Sequence, residues 1–226
     1  MANKDISPAV IQRLPRYYRY LEDLMDQHIE RISSNELSKR MSLTASQIRQ
    51  DLNNFGGFGQ QGYGYNIQNL HDEIAKILNI DTEHNMIIIG AGHLGQALAN
   101  YTNFRKRGFI IKGIFDRDPK VIGTVVVNVM VLPMYKIDEV ISRYDVKMAA
   151  VCIPKTPAVD IVEQLIKDGI VGIWNFAHVD LEVTENIVIE NEHLSESRMR
   201  HTYRVGEADK NSGNKTAVSR NKEAGK

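Results

Sequence analysis

The sequence predicts an α/β fold in which an N-terminal winged helix-turn-helix domain is followed by a Rossmann-like domain. Three observations predict it. Apolar residues recur at helical spacing over residues 8–54, glycines and aromatic residues alternate over residues 55–65, and short apolar runs alternate with helical segments from residue 86 onward. Strands that alternate with helices are typical of a parallel, doubly wound sheet.

The same patterns set the expected domain boundaries. We predict the winged-helix domain at residues 1–79, the Rossmann-like domain at 80–194, and a C-terminal helix at 195–206. Residues 207–226 are expected to be a disordered tail, because the chain contains no Leu, Ile, Phe, Trp or Tyr from Lys210 onward.

Composition excludes several classes of protein. The 28 Lys and Arg residues balance 28 Asp and Glu residues, which argues against a strongly basic coat for nucleic acid but leaves a local DNA-binding patch open. No apolar stretch approaches the roughly 20 residues that span a bilayer, and no signal core opens the chain. The single Cys152 cannot form an internal disulfide, which fits a reducing cytoplasm. Together with the lack of a long apolar stretch, this leads us to expect a cytoplasmic protein without membrane contact. Metal-ligand spacings are absent, and no metal is predicted.

Two capping patterns organise the N-terminal region. An amphipathic helix is predicted over residues 8–30, and Ser33-x-x-Glu36 opens a short second helix. Thr44-x-x-Gln47 is a second capping-box pattern, and it opens a third helix over residues 45–54. Three helices with a tight turn before the third describe a helix-turn-helix.

The third helix and the segment after it carry candidate DNA contacts. Gln and Asn can pair with adenine edges, and Arg can bind guanine or phosphate, although a solvated face of a small bundle remains open. Residues 55–65 interleave glycines with Phe and Tyr, which favours an ordered hairpin, or wing, over a flexible loop. The predicted DNA contacts are Thr44, Ser46, Gln47, Arg49, Gln50, Asn53, Gly59, Gln60, Gln61 and Tyr63.

A glycine-rich turn opens the second domain directly after the apolar run 86–89. Gly90 permits a tight turn, Gly92 lets a pyrophosphate approach the backbone, and Gly95 lets the helix pack on its strand. Asp116, at the end of a second apolar run, can accept hydrogen bonds from a ribose 2′-hydroxyl and would repel a 2′-phosphate. NAD(H) is therefore favoured over NADP(H). The adjacent Arg117 is the one feature that favours NADP(H), because an Arg can accommodate a 2′-phosphate. The predicted site includes Gly90, Ala91, Gly92, His93, Leu94, Gly95, Asp116 and Arg117.

Two further positions follow strands at the edge where such ligands lie. Pro154 ends an apolar strand, and Asn175-Phe176 ends the next one, near the expected nicotinamide end. A structural turn in an α/β protein that binds something else is the alternative. An NAD-dependent oxidoreductase is another, with His178 as the one plausible base, but the Tyr-x-x-x-Lys pair is absent and no substrate domain remains. A CoA-ligase-like nucleotide-binding module is a third.

Taken together, these motifs resemble those of the bacterial redox-sensing repressor family Rex. The resemblance covers nearly the whole chain before the tail, and the motifs occur in the same order. They are Ile48-Arg49-Gln50-Asp51-Leu52-Asn53-Asn54-Phe55-Gly56, Gly62-Tyr63-Gly64-Tyr65-Asn66, Gly90 to Gly95, Phe115-Asp116 and Asn175-Phe176-Ala177.

The resemblance implies a regulator and not an enzyme. It implies a homodimer that binds palindromic, AT-rich operators on double-stranded DNA, is released by NADH, and binds NAD⁺ at the same site. The C-terminal helix would be exchanged between subunits. Tyr101 would lie near the nicotinamide, and Arg19, Tyr101 and His193 would couple the nucleotide site to DNA binding.

Four positions depart from the family pattern. Many family members carry Lys where Gln50 stands and basic residues where Gln60 and Gln61 stand, so fewer phosphate contacts and a flatter salt dependence are expected. Many also carry an acid where His193 stands, which puts the role carried over to that residue in doubt and suggests pH sensitivity.

Overall fold

The computed structural model describes residues 6–53, 59–60, 63–181 and 186–223, with side chains left undescribed at 59, 60, 194 and 211–223. The chain divides into two compact units. The first contains residues 1–83 together with 106–108, and the second contains 84–105 and everything from 109 onward. The first unit thus extends four residues beyond the predicted boundary at residue 79.

Four helices and a small sheet build the first unit. Strands β1 and β2 both pair antiparallel with β3, in the order β1-β3-β2, so the predicted hairpin is present as β2 and β3. Residues 54–58 and 61–62 of the predicted wing lie outside the described residues. The elements are α1 (Pro8–Asp26), β1 (Arg31–Ile32), α2 (Ser34–Met41), α3 (Ala45–Asn53), β2 (Gly59–Gln60), β3 (Gly64–Asn66) and α4 (Ile67–Ile77).

The first helix ends earlier than its apolar spacing predicts. It stops at Asp26, and His28 adopts a left-handed conformation with φ 58°. Residues 27–30, the last turn of the predicted helix, instead form a turn and a short connection that leads into β1. The turn is closed by the amides of His28 and Ile29, which donate to the carbonyls of Met25 and Leu24, and the Glu30 carbonyl accepts from the Ile67 amide.

One predicted capping box is confirmed and the other is half wrong. The Ser33 hydroxyl accepts from the Glu36 amide at 3.1 Å, and the Glu36 carboxylate accepts from the Ser33 amide at 2.9 Å. The Thr44 hydroxyl likewise accepts from the Gln47 amide at 3.1 Å. The Gln47 side chain does not return the bond, because its amide donates to Asp51 instead.

The second unit is a seven-stranded sheet covered by helices. Its strand order is β10-β9-β8-β4-β5-β7-β6, parallel throughout except for β6, which forms a hairpin with β7. The elements are β4 (His84–Ile89), α5 (His93–Ala99), α6 (Thr102–Lys106), β5 (Phe109–Asp116), β6 (Val125–Val126), β7 (Val129–Pro133), a 3-10 turn (Met134–Lys136), α7 (Ile137–Tyr144), β8 (Met148–Val151), α8 (Lys155–Lys167), β9 (Gly172–Asn175), β10 (Val188–Asn191) and α9 (Leu194–Glu223).

Alternation along the central strand divides the core of this unit into two faces. Ile87 and Ile89 of β4 pack with α7 and α8, whereas Met86 and Ile88 pack with Ala99 at the end of α5. All four β4 residues are buried, as expected of a parallel strand covered on both sides. Because β4 lies at the centre, its carboxyl end delivers the glycine turn to the middle of the sheet edge.

The C-terminal helix differs from the expectation. The sequence predicts its end at residue 206 and a disordered tail, but α9 continues to Glu223. Between residues 195 and 210 its side chains are exposed except for the half-buried Glu207. Ion pairs join Arg200 to Glu196 and Lys210 to Glu207. Such pairs and good helix formers support a helix that has no apolar face. Because periodicity detects helices by their apolar face, it did not predict this one.

Candidate functional site

The glycine turn after β4 has the geometry that the sequence predicts. Gly90 has φ 101°, in the left-handed region, and its amide donates to the Phe115 carbonyl at 2.7 Å. A side-chain Cβ at Gly90 would lie 2.6 Å from the Cys152 carbonyl oxygen. A Cβ at Gly95 would overlap the Gly90 carbonyl oxygen, so α5 can approach the turn only with glycine there.

Gly92 has the opposite environment. A Cβ built on it would meet no atom within 4 Å, and its backbone is extended, with φ −72° and ψ −174°. Packing within the chain therefore does not require glycine at this position. The absence of a side chain leaves open space directly in front of the start of α5, where amides without helical partners lie.

Asp116 lies beside this turn at the end of β5. Its Oδ2 accepts from the Ala91 amide at 2.7 Å, and its Oδ1 accepts from the Asp118 amide at 2.9 Å. These bonds fix the carboxylate against the glycine turn. Each carboxylate oxygen can accept a second bond, so Asp116 retains acceptor capacity toward a ligand.

An open cavity of about 290 Å³ contains much of the predicted nucleotide site. Of the predicted residues, Gly90, Gly92, Asp116, Arg117 and Pro154 line it. Ala91 and Gly95 are buried, Leu94 is half-buried and His93 is exposed, so their expected contribution is through the backbone of the turn. Sequence reasoning missed six lining residues, which follow or face the strand ends: Phe115, Met134, Cys152, Ile153, Pro157 and Ile161.

Cys152 forms part of the apolar wall of this cavity. Burial raises the pKa of its thiol to about 12, so the side chain is neutral at physiological pH. The described residues contain no group of three or more His, Cys, Asp or Glu side chains placed to hold a metal ion.

The residues expected near the nicotinamide belong to a chain of aromatic contacts. Tyr101 and Phe104 are 4.9 Å apart between ring centres, Phe104 and Trp174 are 5.6 Å apart, and Trp174 and Phe176 are 4.6 Å apart. Tyr101 is 48% exposed and does not line the cavity at the glycine turn. Phe104 and Trp174 were missed, because their link to Tyr101 and Phe176 depends on the packing of α6 against β9.

Asn175 has a different environment from the one predicted. Its side chain is fully buried and donates to the Val179 carbonyl and to the Asn191 side chain, each at 2.7 Å. The side-chain oxygen Oδ1 of Asn175 accepts from the Ala177 amide at 3.0 Å. These bonds orient the loop after β9, so the amide supports Phe176 instead of extending toward the cavity.

Two of the expected coupling residues have partners within their own units. Nε2 of His193, directly before α9, lies 2.8 Å from Asp180, and this hydrogen bond raises the pKa of His193 above its ordinary value. Arg19 lies on the exposed face of α1, with its guanidinium 5.6 Å from the Tyr20 ring centre.

The predicted recognition helix α3 presents a polar face. Ser46, Arg49, Gln50 and Asn53 are exposed, and Gln47 is half-buried. Arg49 donates to the Ser34 hydroxyl at 3.0 Å. In the hairpin, Tyr63 is 70% exposed, Gly59 and Gln60 form β2, and Gln61 lies outside the described residues.

Behind α3 lies a buried network that the sequence did not predict. Asp51 is fully buried, and Arg13 of α1 donates to both of its oxygens at 2.7 Å. Tyr17 donates to Asp51 at 2.9 Å, and so does Gln47. Burial alone would raise the pKa of Asp51, but the bonds from Arg13, Gln47 and Tyr17 lower it below its ordinary value.

Both halves match known family models. Residues 5–53 match a putative DNA-binding protein N-terminus, and residues 81–179 match a CoA binding domain. Within the described residues no helix is long and apolar enough to cross a membrane. A winged helix joined to a dinucleotide-type domain defines a DNA-binding regulator that carries its own nucleotide site.

Relatives and solved structures identify which regulator family this is. The redox-sensing transcriptional repressor Rex of Clostridium novyi is 53% identical over 88% of this chain and 95% of its own, and that of Clostridioides difficile is 52% identical over 92% and 99%. The chain belongs to the Rex family of redox-sensing transcriptional repressors.

Two solved structures of the Rex-family repressor RSP are also similar. The one in complex with NAD⁺ and operator DNA is 49% identical, covers 94% of this chain and 98% of its own, and has a TM-score of 0.86. The one in complex with NADH is 46% identical, covers 93% and 99%, and has a TM-score of 0.84.

Proposed function

We propose that this chain represses transcription according to the cellular NADH/NAD⁺ ratio. As a homodimer it binds palindromic, AT-rich operators, and NADH releases it from them. The observation that carries the proposal is the open space at Gly92, bordered by the anchored carboxylate of Asp116, in a chain whose relatives are redox-sensing repressors. RSP, at 46–49% identity, has been solved with NADH and with NAD⁺ and operator DNA.

In this proposal the protein binds NAD(H) at the glycine turn. Its pyrophosphate lies over Gly92, at the start of α5, where backbone amides and the helix dipole favour negative charge. Asp116 accepts from a ribose hydroxyl with its remaining acceptor capacity. Arg117 and Pro154, which line the same cavity, contact the nucleotide from its other sides.

The other predicted cofactor contacts are at the nicotinamide end. Tyr101 and Phe176 belong to one series of aromatic contacts, so a ring that displaces Phe176 also disturbs Tyr101. NAD⁺ has a positively charged nicotinamide, whereas that of NADH is neutral and puckered. An apolar environment favours the neutral ring, and this difference is what a redox sensor requires.

DNA contacts are proposed for α3 and the hairpin. Exposed Ser46, Arg49, Gln50 and Asn53 lie on the outer face of α3, which enters a major groove. Thr44 is directly before the helix, where its backbone can approach phosphate. Gly59, Gln60 and Tyr63 of the hairpin, together with Gln61, are proposed to contact the neighbouring minor groove.

The switch is a population shift between two arrangements of the dimer. NADH changes DNA affinity only to the extent that it binds the released arrangement more tightly than the DNA-bound one. Arg19, Tyr101 and His193 are proposed to carry this coupling. The chain has a regulatory role here, and no catalytic residue is proposed.

Fluorescence anisotropy with a labelled palindromic, AT-rich duplex tests the function. We expect the protein to bind the duplex tightly when alone and when NAD⁺ is present. NADH should lower the affinity for the duplex by roughly tenfold or more, which corresponds to a coupling free energy of about 1.4 kcal/mol. A scrambled duplex of equal composition is the control. The proposal would be contradicted if the protein bound the palindromic duplex with equal affinity in the presence of NADH, in the presence of NAD⁺ and without coenzyme.

A further inference from the structure

The buried carboxylate of Asp51 is unusual for a helix that is expected to bind DNA. It is 0% exposed, and it receives two hydrogen bonds from Arg13 and one each from Tyr17 and Gln47, at 2.7–2.9 Å. Three of these four bonds come from α1, so they tie α3 to α1. The fourth comes from Gln47, a residue of the helix's own first turn.

The chemistry of the carboxylate fixes the orientation of the Gln47 amide. An ionised carboxylate only accepts hydrogen bonds, so the NH₂ group of Gln47 must face Asp51 and not its carbonyl oxygen. Hydrogen bonds to Asp51 lower its pKa, which keeps it ionised at neutral pH. The NH₂ group has two hydrogens and gives one to Asp51. One N–H and the carbonyl oxygen of Gln47 remain for an outside partner, and they share one edge of the amide when the hydrogen given to Asp51 is the one trans to that oxygen.

We propose that Asp51, held by Arg13 and Tyr17, is a positioning residue for base recognition: it fixes the Gln47 amide so that its remaining donor and acceptor face one adenine in the major groove. The inference rests on the proposed repressor function and deepens it. Arg13 and Tyr17 never touch the base, and act through Asp51.

Two observations favour an adenine as the partner. An amide with adjacent donor and acceptor matches N7 and the N6 amino group of adenine, which is the usual bidentate pairing of Gln. Gln47 is the third residue of α3 and half-buried, and the N-terminal residues of recognition helices are the ones that contact bases. A side chain already held in place loses less conformational entropy on binding.

Selection from a pool of palindromic duplexes with randomised half-sites tests the proposal. The full-length protein, Gln47→Met, Tyr17→Phe and the double variant are compared for their preference at every base pair. Gln47→Met keeps the length of the side chain but removes the amide. Tyr17→Phe removes one donor to Asp51 and leaves the carboxylate and Arg13 in place. Tyr20→Phe, which removes a hydroxyl from the same helix away from Asp51, is the matched control.

We expect Gln47→Met to lower the preference for adenine at one position of each half-site by roughly 5- to 150-fold. Tyr17→Phe should lower the preference at that same position by about threefold, and leave the others and the salt dependence of binding unchanged. In the double variant Tyr17→Phe should add nothing, because the group it positions is gone. Tyr20→Phe should match the unsubstituted protein.

Three outcomes would overturn the inference. Gln47→Met could leave every position unchanged, or Tyr17→Phe could weaken binding equally to all duplexes, which is what a purely structural tie would do. An effect of Tyr17→Phe that persists in the double variant would have the same meaning. If the unsubstituted protein selects no sequence at all, the repressor function itself is wrong, which distinguishes that failure from a failure of the positioning role alone.

Discussion

The two proposed sites, α3 in the first unit and the glycine turn in the second, are held in place by different means. Side chains hold α3: Asp51 receives four hydrogen bonds from residues up to 38 positions away. Backbone geometry holds the glycine turn, where Gly90 and Gly95 sit so close to neighbouring carbonyls that no other residue fits. A site held by side chains can tolerate partial loss, whereas one held by close backbone contacts tolerates almost none.

The largest expected effect comes from Gly95→Ala. The new methyl group would overlap the Gly90 carbonyl oxygen, a backbone atom that cannot rotate away, so α5 must move off its strand. We expect a loss of about 4 kcal/mol or more in the free energy of unfolding, measured by urea denaturation. Gly92→Val is the matched control.

Gly92→Val should fold normally, because its Cβ would meet no atom of the chain within 4 Å. It should nevertheless abolish NADH binding in calorimetry, since the side chain fills the space proposed for the pyrophosphate. A Gly92→Val protein that binds NADH normally would show that the nucleotide is elsewhere. If Gly95→Ala has the same midpoint of urea unfolding as the wild type, close backbone contacts do not hold the glycine turn as described.

Arg13→Ala is expected to have the next largest effect. It removes both Arg13 hydrogen bonds from the buried Asp51 carboxylate, and we expect about 3 kcal/mol of destabilisation of the first unit at pH 7. Unfolding followed by tyrosine fluorescence measures it. Arg16→Ala, on the same helix but exposed, is the control and should cost about 0.5 kcal/mol or less.

The pH dependence of this effect follows from the lowered pKa of Asp51. Its folded-state pKa lies below the ordinary value of 3.8, so its stabilisation is fully present above that value and is lost as the pH falls through the folded pKa. The difference in unfolding free energy between wild type and Arg13→Ala should therefore be constant from pH 7 to about 5 and shrink below pH 4. A difference that grows on acidification would contradict this assignment.

The smallest expected effect is that of Ser33→Ala. The substitution removes the hydroxyl that caps α2 and should cost about 1 kcal/mol, measured by the same unfolding experiment. Thr44→Ala removes the corresponding cap of α3 and should cost a similar amount. If either cost approached that of Arg13→Ala, local capping and not the Asp51 network would be the main support of these helices.

The same difference explains which features the sequence could predict. The glycine turn depends on local backbone conformation, so Gly90, Gly95 and Asp116 are visible as a pattern, and the structure has the left-handed turn at Gly90 and the close approach at Gly95 that the sequence predicts. The Asp51 network depends on residues that are distant in sequence, and no local pattern marks Arg13 and Tyr17 as its partners. By sequence, the Gln47 side chain could either complete a capping box with Thr44 or bond Asp51. The packing of Asp51 against α1 decides for the second.

Other differences have the same origin. The aromatic contacts from Tyr101 through Phe104 and Trp174 to Phe176 require α6, a five-residue helix too short for periodicity to detect. The buried bonds of Asn175 depend on β10, which pairs with β9 from 16 residues away. The continuation of α9 to Glu223 escaped prediction because its described side chains form no apolar face.

The chemistry of Cys152 has a consequence for what the protein can respond to. With a pKa raised to about 12 by burial, almost none of this thiol is ionised at pH 7. Peroxides attack the ionised form, and the chain has no second cysteine with which an oxidised sulfur could be resolved. We therefore expect brief exposure to hydrogen peroxide to leave the Cys152 thiol unmodified. The response of the protein would follow the supply of metabolic electrons and not oxidants that act on cysteine thiols.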